Sequence, residues 1–453
     1  MDYYFNFPDL TDTLEHVKVF HRYKNQWYSI VARVEDKTFT QTNTTELPSI
    51  LADLVDLASA IYIADWLSPR RKSCSHDIHI NLPLRNPVLF SQTQNLGELS
   101  NLLHWYTQDR WHFEFCQRTK IGRLAERQPR LFQLYPVEER VETALWSGGL
   151  DSLAGLCNRI NSQTAKRFTL LGSGSNLQIQ GRQLEIVQHL RMVDPIRIKL
   201  IQIPIQWEYV AEKPRTNDIF RARGLVFKLL GAVCALLEGQ QNLYIYENGF
   251  GALNLPFRLS EMGTSHTRSV HPLSLIRTGK FVSKLLGIKF CYENPYLYMT
   301  KAQMCEAVKD KTDIAFQTIT CDSRHRQANQ PSQCGYCSSC LLRRVALINA
   351  LGYDHTEYIL THGTIRPSLE CHRHFEAMQY QVMRLQEIFN SSNPWMHMLQ
   401  RYSSLRQIVD HLSLDQGEAS TVIEERFLQL YRCHVEEWCN AQATIEQSLY
   451  KAI

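Results

Sequence analysis

Apolar residues along this chain change their spacing twice, and each change marks a different kind of structure. Over residues 1–140, short aromatic and branched runs at 17–23, 27–33 and 78–82 predict strands, and 111–116 alternates in the strand manner. Residues 96–106 read as a helix. This stretch predicts a small α+β module. It carries no glycine-rich turn and no metal-ligand spacing, so it is expected to serve as a recognition or oligomerisation surface.

From residue 141 the pattern becomes strand and helix in turn. Strands are predicted at 141–146, 168–172, 196–205 and 243–246, with helices at 151–160, 180–190 and 220–237. Units of that length build a parallel sheet covered by helices on both faces. Ligands of such sheets sit beyond the carboxyl ends of the strands. The loops that open at Ser147, Ser173, Gln206 and Glu247 are therefore expected to converge on one crevice. Over 356–453 the pattern turns helical, at about 373–390, 395–412 and 422–447, with breaks at 391–394 and 414–417. The expected organisation is an N-terminal module (1–140), an α/β core (141–355) and a helical extension (356–453).

Composition narrows the class. At 44% hydrophobic and 21% charged, the chain can bury ordinary globular cores. No apolar run approaches the roughly 18 residues of a membrane span, and the N-terminus lacks the pattern of a secretory signal, so a cytoplasmic location is expected. A net charge of +4 argues against a nucleic-acid partner, although basic residues cluster locally over 213–223. Nothing in the sequence sets an oligomeric state.

The first candidate chemistry is the run Ser147-Gly148-Gly149-Leu150-Asp151-Ser152 between the strand at 141–146 and its following helix. Two glycines allow a backbone path that side chains would obstruct. The hydroxyls of Ser147 and Ser152 and the positive end of a helix suit a phosphate. No lysine ends the turn, so this is not the G-x-x-x-x-G-K-[ST] loop. Asp151 would repel phosphate directly and fits better as a brace for the loop or as a magnesium ligand.

The second is a set of cysteines. Of the 13 in the chain, Cys157 and Cys234 fall within apolar helical patterns and read as small hydrophobes. Cys334, Cys337 and Cys340 repeat at three-residue steps, and Cys321 can return as a fourth ligand. Four thiolates suit structural zinc, with His325 as an alternative fourth ligand and an iron–sulfur cluster as a competing occupant.

The loop resembles the SGGxDS loop of the N-type ATP pyrophosphatases, a Rossmann-like superfamily that forms adenylates. That resemblance implies ATP and Mg2+, with Ser147, Gly148, Gly149, Asp151 and Ser152 on the phosphates and metal and Ser173 near adenine. Together with Cys321 and the run Cys334-Gly335-Tyr336-Cys337-Ser338-Ser339-Cys340-Leu341-Leu342-Arg343, it is similar to 7-cyano-7-deazaguanine synthase of queuosine biosynthesis. Tyr298-Met299-Thr300-Lys301-Ala302-Gln303 looks like that family's Leu-Thr-Lys-Ala-Glu segment, which implies that Lys301 faces the phosphates. The resemblance covers roughly residues 141–350.

The chain departs from that family by its extensions on both sides and by residues 247–272. Glu247 and Asn248 follow a strand and should point into the crevice, where Glu247 can accept from a guanine-like edge and Asn248 and Asn254 can donate and accept. Arg268 and His266 offer positive charge, and His266 is the nearest candidate base. Arg221 and Arg223, at the start of the helix over 220–237, are candidates for adenylate contact. Glu247, Asn248, Asn254, Arg268 and His271 together resemble the synthase-like proteins of antiphage operons, such as the Qat system and the type IV cyclic-oligonucleotide systems. This resemblance implies adenylation of 7-carboxy-7-deazaguanine and transfer to an amine, the N-terminus of a partner protein encoded in the same operon. The alternatives are a nitrile synthase that uses ammonia and ATP, a tRNA-modifying pyrophosphatase and a non-catalytic scaffold.

Overall fold

The computed structural model describes residues 2–6, 14–21, 25–35, 37–40, 47–69, 75–118, 123, 126, 140–172, 174, 177–193, 197–209, 220–257, 268–321, 333–362 and 369–450. Eleven strands fall into two sheets among these residues. β1 (Asp2–Asn6), β2 (Leu14–His21), β3 (Gln26–Val34), β4 (Asp77–Leu84) and β5 (Arg110–Gln117) lie in the first. β6 (Val141–Trp146), β7 (Arg167–Gly172), β8 (Ile198–Gln202), β10 (Asn242–Tyr244) and β11 (Cys291–Glu293) make the second. β9 (Ile205–Tyr209) follows β8 in the chain but joins the first sheet.

The second sheet is wholly parallel, in the order β11-β10-β6-β7-β8. It is the expected α/β core, and its order is that of a Rossmann-like sheet. β7 is buried throughout and β6 almost so, which explains their near-continuous apolar runs. The strand order reverses between β6 and β10, and such a switch point leaves a crevice at the carboxyl ends of the two strands.

The single strand expected at 196–205 is two. The ladder breaks at Ile203-Pro204, where proline has no N–H to donate, and Pro204 instead accepts a hydrogen bond from the Glu35 N–H at 3.1 Å. β9 then runs antiparallel to β3 and closes the order β5-β4-β1-β2-β3-β9. Gln206 therefore lies within a ladder opposite Arg33 and opens no loop at the crevice.

The helix Ser49–Leu67 gives no amphipathic signal because it is buried on nearly every side. It packs between the first sheet and the helix Arg223–Leu237, so one apolar core runs from Tyr3 to Tyr292. Its acids Asp53 and Asp56 are wholly buried and pair with Arg85, with Arg118 and Arg123 also on Asp56.

The C-terminal region is helical as expected. Its helices are Leu369–Phe389, Pro394–Arg401, Ser404–Gln416 and Ser420–Tyr450. The helix expected at 395–412 is broken after Arg401. Asn393 caps the piece that starts at Pro394 through Met396 N–H at 3.2 Å, and Gly417 ends the next in a left-handed conformation. No described helix is long and apolar enough to cross a membrane.

Candidate functional site

At the end of β6 the backbone turns sharply. Gly148 has φ +73°, and a Cβ there would sit 3.0 Å from Gln183 Cγ. Gly149 precedes the helix Leu150–Asn161, where a Cβ would press on Ser147 Oγ at 3.2 Å and on the Ile319 carbonyl at 3.3 Å. Ser147 is exposed, and its Oγ accepts from Gly149 N–H at 3.1 Å and shares a 2.7 Å hydrogen bond with Ser152 Oγ. The result is a small-residue turn that leads into the positive end of a helix, with a hydroxyl at its rim. Turns of this build, which lead into the positive end of a helix, favour anions.

Behind this turn lies a compact polar cluster. Asp151 is buried in the first turn of the helix. Lys301 Nζ donates to Asp151 Oδ2, and Asn248 Nδ2 donates to Asp151 Oδ1 at 3.0 Å and to Glu247 Oε1 at 2.9 Å. Burial would depress the Lys301 ammonium, but the carboxylates of Asp151 and Glu247 outweigh it and hold its pKa above the usual lysine value. The loops after β6 and β10 thus meet at the switch point, as the sequence predicts for Ser147 and Glu247.

Local rules aim these side chains. Asn248 caps the short helix Gly249–Leu253 through Gly251 N–H. Gly249 lies so close to the Leu297 carbonyl that a Cβ would come within 2.0 Å. Lys301 opens the helix Lys301–Cys305 behind a capping box formed by Thr300 and Gln303. Thr300 Oγ1 in turn donates to Glu437 on the long C-terminal helix. Asn254 ends the helix Gly249–Leu253 in a left-handed conformation at φ +46°.

Other expected residues gather elsewhere. Arg268 donates to the Trp105 carbonyl at 2.7 Å and lies over the Trp105 ring at 3.9 Å. His271 caps the helix Pro272–Leu286 through Leu273 N–H at 3.2 Å. Burial, then Arg268, Arg277 and Lys228, lower its pKa to about 3, so it is neutral at pH 7. Arg221 donates to the Thr107 carbonyl at 2.9 Å, which ties it to the N-terminal module. Arg223 starts its helix, with Nη2 3.5 Å from where a Cβ on Gly174 would lie. Ser173, His266 and His325 lie outside the described residues.

The four cysteines come together. Cys321, Cys334, Cys337 and Cys340 are buried, with all four Sγ atoms within 4.8 Å of one another. Cys321 and Cys337 sulfurs are 3.9 Å apart, and those of Cys334 and Cys340 are 3.8 Å apart. A tetrahedral zinc with bonds of about 2.3 Å needs sulfurs about 3.8 Å apart. The cage therefore fits a metal ion such as zinc. Hydrogen bonds from the other sulfurs pull the Cys321 thiol down, while the neighbouring sulfurs and burial push Cys334 and Cys340 up. A cation at the centre is what would let all four ionise.

The cage is tied to the loop. Gln333 Nε2 donates to the Thr318 carbonyl at 2.6 Å, while its Oε1 accepts from Cys321 N–H at 3.1 Å. Arg343 is fully buried and binds the Ala315 carbonyl, Thr318 and Thr320. These residues position the segment whose Ile319 carbonyl abuts Gly149. Sequence reasoning missed Gln333 as a brace, and it missed Gln183, which is buried and donates to the Trp146 carbonyl at 2.9 Å behind the loop. An apolar-core glutamine flanked by the motif at 334 is the one local signal that could have marked Gln333.

In comparisons with known proteins, no family model matches the chain and no curated protein matches it.

Proposed function

We propose that this protein is an ATP-dependent, carbon–nitrogen bond-forming enzyme of the 7-cyano-7-deazaguanine synthase type. It adenylates the carboxylate of 7-carboxy-7-deazaguanine and transfers the acyl group to an amine, the N-terminus of a partner protein encoded in the same operon. The observation that carries this reading is the two-glycine turn at a topological switch point with Asp151, Lys301, Asn248 and Glu247 gathered behind it.

In the first step a substrate carboxylate oxygen attacks the α-phosphorus of ATP, and the bond to pyrophosphate breaks. The turn over 147–152 and its helix N-terminus hold the departing charge with donors fixed in advance. Lys301 is buried and charged, so it can neutralise phosphate without reorganisation of water. Asp151 and Glu247 are the carboxylates that would hold Mg2+, which would supply further neutralisation of phosphate charge. In the second step the amine lone pair attacks the acyl carbon, the bond to AMP breaks and the amine loses a proton. The four cysteines would hold zinc as a wall of the site, with no position left open for substrate.

The test is incubation with 7-carboxy-7-deazaguanine, Mg2+ and α-labelled ATP, with and without operon-neighbour proteins, while AMP and intact protein masses are followed. A neighbour whose N-terminus gains the mass of the acyl group supports conjugation. Free nitrile with unmodified neighbours would instead assign the ammonia-dependent synthase. An absence of AMP under all conditions would sink the enzymatic reading. Asp151→Ala should abolish AMP release, whereas Cys337→Ala should lower zinc content and soluble yield.

A further inference from the structure

Trp105 belongs to the N-terminal module, yet its side chain is surrounded by cations of the α/β core. The guanidiniums of Arg268 and Arg277 lie 3.9 and 4.2 Å from its ring centre. Trp105 Nε1 donates to Ser274 Oγ at 2.8 Å, which fixes the ring on the helix Pro272–Leu286. Lys228 is fully buried beside them, with Nζ 4.9 Å from the Tyr106 ring centre and donating to the Ser269 carbonyl at 2.5 Å. An ammonium has three donors, and this carbonyl uses one.

No carboxylate of the described residues answers this charge. Among the described residues Arg277 makes a ring contact and no hydrogen bond, and neither arginine nor Lys228 forms an ion pair. Burial and then Arg277 lower Arg268, and burial and then Arg268, Arg277 and Lys228 lower His271, while burial alone lowers Lys228 and disfavours its charged form. Buried or half-buried charges of one sign are costly unless an opposite charge arrives. The rings of Trp105 and Tyr106 offset part of that cost without neutralising it.

Topology puts this cluster towards the same end of the parallel strands as the loop over 147–152. The helices Arg223–Leu237 and Pro272–Leu286 precede the parallel strands β10 and β11, so their N-terminal ends lie near the carboxyl ends of the strands. Gly224 is packed on Ser269, since a Cβ there would meet Ser269 Oγ at 2.5 Å.

We propose that Arg268 and Arg277, held by Trp105, with Lys228 as a neighbouring N–H donor, form a binding site for the oxyanion of a small ligand. Phosphate oxygens of a nucleotide and the carboxylate of a heteroaromatic acid share that chemistry. The assignment gives the N-terminal module a direct part in the site and goes beyond the adenylation reading, on which its existence does not depend.

Binding of inorganic pyrophosphate, of 7-carboxy-7-deazaguanine and of 7-deazaguanine without the carboxylate is to be measured by calorimetry on the full chain and on Arg277→Gln. Arg277 is half-buried and among the described residues touches only the ring, so the variant should keep its fold, checked by circular dichroism and zinc content. Wild-type affinity for an anionic ligand should fall with salt, and Arg277→Gln should weaken it by about tenfold or more. Weaker pyrophosphate assigns the phosphates. Weaker binding of the carboxylated base, with the decarboxylated base unaffected, assigns the carboxylate. Lys228→Met should act in the same direction. Equal affinity of wild type and Arg277→Gln for both anions, or no binding of either anion by the wild type, overturns the proposal. Loss of anion binding in Arg277→Gln in a protein that never releases AMP would leave the site standing and remove the adenylation reading alone.

Discussion

Asp151 and Lys301 make a buried pair whose partners hold one another in place, and that raises a question energetics can answer. Removing one member leaves the other charged and unpaired, a cost of about 3–5 kcal/mol, whereas removing both together often costs far less. Asp151→Asn and Lys301→Met are each expected to lower stability in urea unfolding by an amount of that order. The double variant should recover much of it and remain inactive. Additive losses would mean that the two side chains do not act as a pair. These residues were legible in the sequence for a simple reason: Asp151 lies in a six-residue run that is small or polar except for Leu150, and Lys301 sits at a recognisable helix start. The cysteines were legible on the same ground, since three fall within seven residues. Gln183, Lys228, Arg277 and Trp105 were not. Each reads alone as an ordinary helical residue, and only the fold brings them to the turn or to Arg268.

At the scale of elements, the core strands were readable because a parallel sheet buries them on both faces, and the helix Ser49–Leu67 was hidden by the same physics. Strand 196–205 was misread because its alternating apolar residues continue from one sheet towards the other, with Pro204 as the local sign of the break. The contact between the helix Lys301–Cys305 and the helix Ser420–Tyr450 was equally invisible. It rests on the Thr300 hydroxyl and the carboxylate of Glu437. Burial raises Glu437 from the ordinary 4.5 to about 7, against the Thr300 hydrogen bond and with help from Glu436. Between those values the folded protein keeps a proton that the unfolded chain has released. Stability from this group is therefore complete below about pH 4.5 and falls as pH rises through 7. Glu437→Gln keeps an acceptor for Thr300 and removes the titration. Its urea midpoint should exceed that of the wild type at pH 8, by a gain on the order of 2 kcal/mol, and approach it at pH 4.5. Parallel pH profiles for the two proteins would refute this.

Over the whole molecule, residues on either side of position 140 share one core. β9, which follows β8 of the parallel sheet, completes the first sheet against β3, and the helix Arg223–Leu237 packs on the helix Ser49–Leu67. Asp65 accepts from Ala222 N–H at 3.0 Å, Tyr62 stacks on Phe220 at 5.0 Å, and Lys284 pairs with Glu98 at 2.5 Å. Removal of residues 1–139 would uncover the side of the almost fully buried helix Arg223–Leu237 that packs on Ser49–Leu67, with Phe220 and Phe227 losing Tyr62, and would leave β9 without its ladder. At about 1.5–3 kcal/mol for each large apolar side chain returned to water, a few such residues exceed the net stability of a typical domain. The fragment over 140–453 is therefore expected to be insoluble when expressed alone. Co-expression with 1–139 as a separate chain should restore a soluble complex, because the contacts across the join are non-covalent and extensive. Trp105 travels with the first piece and the cations around it with the second. The reassembled pair should then regain pyrophosphate affinity together with solubility. A fragment over 140–453 that folds and binds pyrophosphate as the full chain does would show instead that the α/β core stands alone and that Trp105 is dispensable to it.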